Sequence, residues 1–146
     1  MQLISDYMSS HHKHCDDAFA RAEDMAAAKN WTGLERDGGT FLREMERHIR
    51  LEEELLFPAF EEKTGMTSGP TAIMRMEHDQ MRGMFVQMRA AIEAKDGEQY
   101  LGAAETLLIL LQQHNMKEES MMYPMLDQSL SDDANSLLAQ LESIAV

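Results

Sequence analysis

Two stretches of this sequence carry a histidine followed four residues later by a glutamate, His48 with Glu52 and His114 with Glu118. Four residues make about one helical turn, so each pair presents an imidazole and a carboxylate on one helix face. The other residues at that spacing are apolar: Phe41, Met45, Leu55 and Ala59 around the first pair, Leu107, Leu111, Met121 and Met125 around the second. Both carboxylates are therefore expected inside a core. Burying one carboxylate without a cationic partner costs several kcal/mol, and burying two near each other costs more. No Lys or Arg shares either stripe, so bound metal is the simplest source of the offsetting charge.

Two more segments carry the same spacing. One runs Met8, His12, Cys15, Phe19, Ala22, Ala26, and the other Met74, His78, Met81, Phe85, Met88, Ile92. Four seam histidines and two seam glutamates result, and nitrogen and oxygen donors without thiolate suit iron or manganese better than a structural zinc. A haem held by two histidines would leave both glutamates unexplained.

The chain also repeats itself. His48, Glu52, Glu53, Phe57 and Pro58 fall on His114, Glu118, Glu119, Tyr123 and Pro124 at an offset of 66 residues, which also places His12 on His78 and Phe19 on Phe85. Two helix pairs related by a pseudo-two-fold axis follow. The offset selects His12 from the neighbouring His11 and His14, which fall opposite Glu77 and Gln80. Both are expected to face solvent, with His11 the fallback ligand.

The elements that must position these groups are helices. Ala, Leu, Met, Glu and Gln outweigh Val, Ile and Thr, and aromatics are 6% of the chain, a balance that favours helix over strand. Breakers at Lys29–Gly33, Lys63–Pro70 and Lys95–Gly97 divide the chain, predicting helices near 5–29, 32–63, 70–96 and 98–123. Pro70 suits a first helical position. Ser131, followed by Asp132 and Asp133, reads as the cap of a short terminal helix near 132–144. Gly38 and Gly39 weaken the start of the second helix. Pro58 and Pro124 either end their helices or bend them beside the site. Short loops between helices of this length favour antiparallel neighbours. The expected fold is all-α, an up-down-up-down antiparallel four-helix bundle with a short additional C-terminal helix, forming one domain over residues 1–146.

Composition narrows the partners. A formal net charge of −13 repels nucleic-acid phosphates and anionic lipid. The longest strongly apolar run, Leu107–Leu111, is too short to cross a bilayer. A single cysteine, Cys15, permits no internal disulfide or thiolate cage, and the first residues lack the basic and apolar regions of a signal peptide. The expected location is the cytoplasm. The fourteen methionines read as pliable core filling, and Cys15 as a small buried apolar residue.

In this arrangement the chain resembles the hemerythrin-like, or HHE cation-binding, family. The family's order is a His on helix one, His-x3-Glu on helix two, a His on helix three and His-x3-Glu on helix four, met here by His12, His48/Glu52, His78 and His114/Glu118. The resemblance covers nearly the whole chain apart from the terminal helix. It implies a carboxylate-bridged centre of two iron ions, oxo- or hydroxo-bridged and replaceable by manganese or zinc. Glu52 and Glu118 would be the bridges and the four histidines the terminal ligands. Oxygen-carrying members place a second His on helix three, one turn before the first, where this chain has Met74. That leaves a further position for water or a ligand and turns the expectation from oxygen storage toward oxidation, peroxide chemistry or nitric oxide binding. Glu53 and Glu119 are expected as exposed helix charges, with an extra metal ligand as the alternative for either, and Tyr7 and Tyr123 lie near enough in sequence to donate hydrogen bonds around the site.

Three functions follow. The chain is expected to be a non-haem di-iron protein that binds oxygen or nitric oxide for sensing, storage or delivery. The alternative is a di-iron oxidoreductase or iron-centre repair factor acting on peroxide or nitric oxide, although repair proteins of the family carry N-terminal cysteines that are missing here. The third is a scaffold whose metals only staple the helices.

Overall fold

The computed structural model describes residues 2–144 and is all-helical. Helix α1 spans Ile4–Ala27 and α2 Trp31–Arg50. A π-helical turn at Leu51–Leu56 leads into α3, Phe57–Thr64. Helices α4 (Pro70–Ala94) and α5 (Gly97–Lys117) follow, and a second π-helical turn, Glu118–Met122, leads into α6 (Tyr123–Ser129). A 3₁₀ turn at Ser131–Asp133 precedes α7, Ala134–Ser143. Helix α1 packs on α2 and α4 on α5, and the pairs meet through α1–α5 and α2–α4.

The breakers act as their chemistry dictates. Asn30 caps α2 by accepting the Gly33 amide, and Asp96 caps α5 by accepting that of Gln99, each satisfying an N–H that the helix leaves orphaned. Gly65 ends α3 at a left-handed φ of 73°, a conformation glycine adopts without steric cost. Pro70 opens α4 as expected. Ser131 does not cap the terminal helix: it starts the 3₁₀ turn, and α7 begins three residues later without a side-chain cap. Helix α2 passes through Gly38 unbroken, and a Cβ there would come within 2.9 Å of Ile92 Cδ1 on α4, at the tip of a side chain that would have to shift.

The interior consists of two apolar clusters with a polar layer between them. One contains Cys15, Phe19, Phe41, Met45, Met81, Phe85 and Leu111; the other contains Met8, Leu51, Leu56, Phe57, Met74, Met122 and Tyr123 and is covered by Leu137, Leu138 and Leu141 of α7. His12 follows Met8 and precedes Cys15, and His78 likewise stands between Met74 and Met81. Phe41 meets Phe19 and Phe85 edge-on, with ring centroids 5.3 and 6.5 Å away, a geometry that aromatic quadrupoles favour. No helix among the described residues is long and apolar enough to cross a membrane.

The two π turns correct the sequence reading in one respect. A strict continuation of the seam puts Leu55, Ala59, Met121 and Met125 in the core. Instead Leu56, Phe57 and Phe60 are buried after the first π turn, and Met122, Tyr123 and Leu126 after the second, while Met121 is 42% exposed. Each turn closes with an i→i−5 bond, Phe57 N–H to the Glu52 carbonyl and Tyr123 N–H to that of Glu118. The extra residue per turn moves the buried face one position along the chain. It also places Pro58 and Pro124 in the opening turn of the following α segment, where a missing N–H disrupts little. The prolines therefore neither end the helices nor break them, and the second and fourth long helical rods run on to Thr64 and Ser129.

Candidate metal centre

All six seam residues are buried and come together in the polar layer. Two groups of ligand atoms form, each within 4.8 Å: His12, His48, Glu52 and Glu118, and Glu52, His78, His114 and Glu118. Both glutamates belong to both groups. Glu118 Oε1 lies 3.0 Å from His12 Nε2 and 3.3 Å from His114 Nε2. Glu52 Oε2 lies 3.3 Å from His48 Nε2, and its Oε1 3.0 Å from His78 Nε2. Each carboxylate thus spans the two histidine pairs.

The outer edges of three rings are held by further carboxylates. Glu119 Oε2 lies 2.7 Å from His12 Nδ1, Glu53 Oε2 2.8 Å from His78 Nδ1 and Glu77 Oε1 2.8 Å from His114 Nδ1. An Nδ1–H donated outward leaves the Nε2 lone pair facing inward, the tautomer a metal ligand needs. Glu53 is itself fixed by Arg82 at 2.9 Å, and Glu77 by Lys117. Glu53 and Glu119 are therefore not simple exposed charges: Glu53 is mostly buried, and Glu119, 47% exposed, still reaches His12.

The repeat is visible in these contacts. Glu53 on His78 and Glu119 on His12 exchange under the 66-residue offset, as a pseudo-two-fold axis requires. The symmetry fails in two places. The position matching Glu77 is His11, so the Nδ1 of His48 has no hydrogen-bond partner among the described residues. The position matching Phe57 is Tyr123, whose hydroxyl enters the layer.

The donor set fits a cation. Glu52 Oε1 and His78 Nε2 are 3.0 Å apart, yet among the described residues neither makes a hydrogen bond, and buried Glu118 Oε2 is also unpartnered. Ligand atoms that converge without pairing are what a bound ion satisfies. Among themselves the groups compensate by protonation. Burial opposes charge on His48 and His78, but the neighbouring glutamates outweigh it and lift their pKa values to about 10 and about 9. His114 is raised in the same way, against burial, by Glu118. Burial also opposes charge on Glu118, yet the surrounding histidines His114, His12 and His48 hold its carboxyl well below the ordinary carboxylate range.

The remaining sequence candidates separate clearly. His11, the fallback ligand, joins neither group and is half-buried rather than solvent-facing. It stacks on Tyr7 at 5.2 Å, stands 5.9 Å from the His48 ring and takes a contact of 2.8 Å from Arg47. Burial, with His48 and Arg47 nearby, lowers its pKa to about 4. His14 is exposed and 3.8 Å from Glu44. Tyr7 meets Arg47, not the seam ligands. Cys15 is a buried free thiol, and Met74 is fully buried in the apolar cluster. Sequence reasoning gave Glu77 no role at the site; the signal available was its place one residue before His78, opposite His11 in the repeat.

An open cleft of about 710 Å³ between α1 and α5 reaches this layer from solvent, lined among others by His12, Asp16, Phe19, Leu111 and Glu119. Comparison with curated proteins and with solved structures returns no match. Residues 3–126 do match the hemerythrin HHE cation binding domain, a span that holds all six converging seam residues and both π turns, and the chain belongs to that family.

Proposed function

We propose that this chain is a non-haem di-iron protein that binds oxygen or nitric oxide, with His12 and His48 serving one ion, His78 and His114 the other, and Glu52 and Glu118 shared between them. The observation that carries this reading is the membership of both carboxylates in both ligand groups. Two separate sites would need no shared donors. Nitrogen and carboxylate donors suit iron, with manganese and zinc as substitutes. A reduced centre of this kind supplies the electrons and open coordination positions by which small gases bind.

The protein's own contribution is orientation and exclusion of water. Glu53, Glu77 and Glu119 fix three rings by their outer nitrogens. The apolar clusters shield the layer on two sides, and a solvent cleft opens beside His12. The chain acts as one domain in the cytoplasm.

A second reading, turnover of peroxide or nitric oxide, is favoured by one observation: the Tyr123 hydroxyl donates to Glu52 Oε2 at 2.6 Å, a buried O–H at the ligand atoms. Iron-loaded protein separates the two. The first reading expects two irons per chain and a coloured adduct that reverses when the gas is removed; sustained consumption with an electron donor would establish the second. Glu52→Gln and Glu118→Gln are expected to lose the paired site while keeping helical circular dichroism. Two irons and an unchanged spectrum in either variant would refute the shared-carboxylate assignment.

A further inference from the structure

The Tyr123 hydroxyl lies 2.6 Å from Glu52 Oε2, 3.0 Å from Glu118 Oε1, 3.0 Å from His12 Nε2 and 3.1 Å from His48 Nε2. Those four atoms come from the four residues of one ligand group and no others. A phenol has one proton to donate and two lone pairs, so it cannot satisfy four such neighbours. Three of them already present lone pairs: the two carboxylate oxygens, and His12 Nε2 once its Nδ1–H is given to Glu119.

The opposite half of the layer has no such oxygen. Phe57, the counterpart of Tyr123 in the repeat, lays its ring against His78 with centroids 5.9 Å apart and planes at 10°. The second π turn is what brings Tyr123 inward, since the unshifted seam would have faced Met121 to the core.

Resting on the di-iron reading above, we propose that Tyr123 is a further ligand of the ion held by His12 and His48, so that the two ions are inequivalent and exogenous small ligands bind at the ion held by His78 and His114. On loading, the phenol O–H bond breaks, its proton leaves to water, and the oxygen bonds to the ion; no electron is transferred. The first ion then has one protein donor more than the second.

Resonance Raman spectroscopy of the ferric, iron-loaded full chain tests this. The wild type is expected to show a visible phenolate-to-iron absorption band with enhanced tyrosinate ring modes. Tyr123→Phe should lose both while keeping two irons per chain. Adding azide should leave the tyrosinate modes in place. Two irons without tyrosinate modes in the wild type, or their persistence in Tyr123→Phe, would overturn the ligand assignment and leave the di-iron reading standing. Loss of the modes on adding azide would overturn the placement of small ligands. Failure of the wild type to hold two irons would sink the di-iron reading and this proposal with it.

Discussion

Glu53 Oε2 lies 2.8 Å from His78 Nδ1, on the far side of the ring from Glu52. Burial would raise the Glu53 carboxyl, but His78 and Arg82 outweigh it and hold its pKa down to about 2. The group therefore stays ionised throughout the neutral range and keeps the His78 proton on Nδ1. Glu53→Gln replaces that anion with a neutral amide of similar shape. Metal affinity is expected to fall about 10- to 100-fold, the usual cost of losing a carboxylate behind a metal-bound imidazole. A chelator competition titration checks this, with exposed Glu54→Gln as the control. Equal affinities for the two variants would remove Glu53 from any role at the site.

The three neighbouring histidines of α1 should separate in one experiment. His12 Nε2 belongs to a ligand group, His11 Nε2 faces Arg47, and His14 stands in solvent with 57% of its side chain exposed. His12→Ala is expected to lose bound metal. His14→Ala should leave both metal content and stability unchanged, within about 0.5 kcal/mol. His11→Ala should keep two metals per chain but lose some stability, because its ring is stacked between Tyr7 and His48. Loss of one metal in His11→Ala, measured by elemental analysis, would reverse the choice that the internal repeat makes.

The burial and convergence of the six seam residues were legible in the sequence because His and Glu at helical spacing on an apolar stripe are unusual, and the repeat selected among candidates. Helix boundaries marked by Asn30, Pro70 and Asp96 were legible for the same reason, each being a local backbone effect. The π turns were not. A one-residue insertion in a helix leaves no change of composition, so the seam drawn through Leu55 and Met121 slipped by one position after Glu52 and Glu118. Tyr123 was legible only as a hydrogen-bond donor near the site; the slip kept its place at the centre of the layer out of view, because the regular pattern turns it away from the core. Glu53, Glu77 and Glu119 were obscured for a different reason. Their partners sit on other helices, and an acidic residue on a half-exposed face looks the same in sequence whether or not it reaches across.

Cys15 offers a test of how closed the apolar side of the layer is. Burial, with Glu44 and Asp16 nearby, pushes the thiol up to about 12. At pH 8 only about one part in ten thousand is then thiolate, the reactive form. A thiol reagent such as dithionitrobenzoate should react with the native protein far more slowly than with protein unfolded in guanidinium. The rate should climb with pH well beyond the range where an exposed cysteine levels off. Rapid native labelling at pH 8 would show that α1 opens beside His12 on the timescale of the reaction.

Two buried tyrosines should respond oppositely to the same substitution. Tyr100 is 1% exposed and its hydroxyl has no hydrogen-bond partner among the described residues, while burial raises its pKa. Tyr123 is fully buried too, but its hydroxyl donates to Glu52 and stands at the centre of the polar layer. Removing an unsatisfied buried hydroxyl recovers its desolvation penalty, so Tyr100→Phe is expected to stabilise the fold by about 1 kcal/mol. Tyr123→Phe strips the buried Glu52 carboxyl of its donor and should destabilise the metal-free protein by roughly 1–3 kcal/mol. Urea unfolding of metal-free protein, read as midpoint shifts at constant slope, separates the two. A loss of stability in Tyr100→Phe would mean that its hydroxyl is satisfied after all, by an ordered water between α2 and α5.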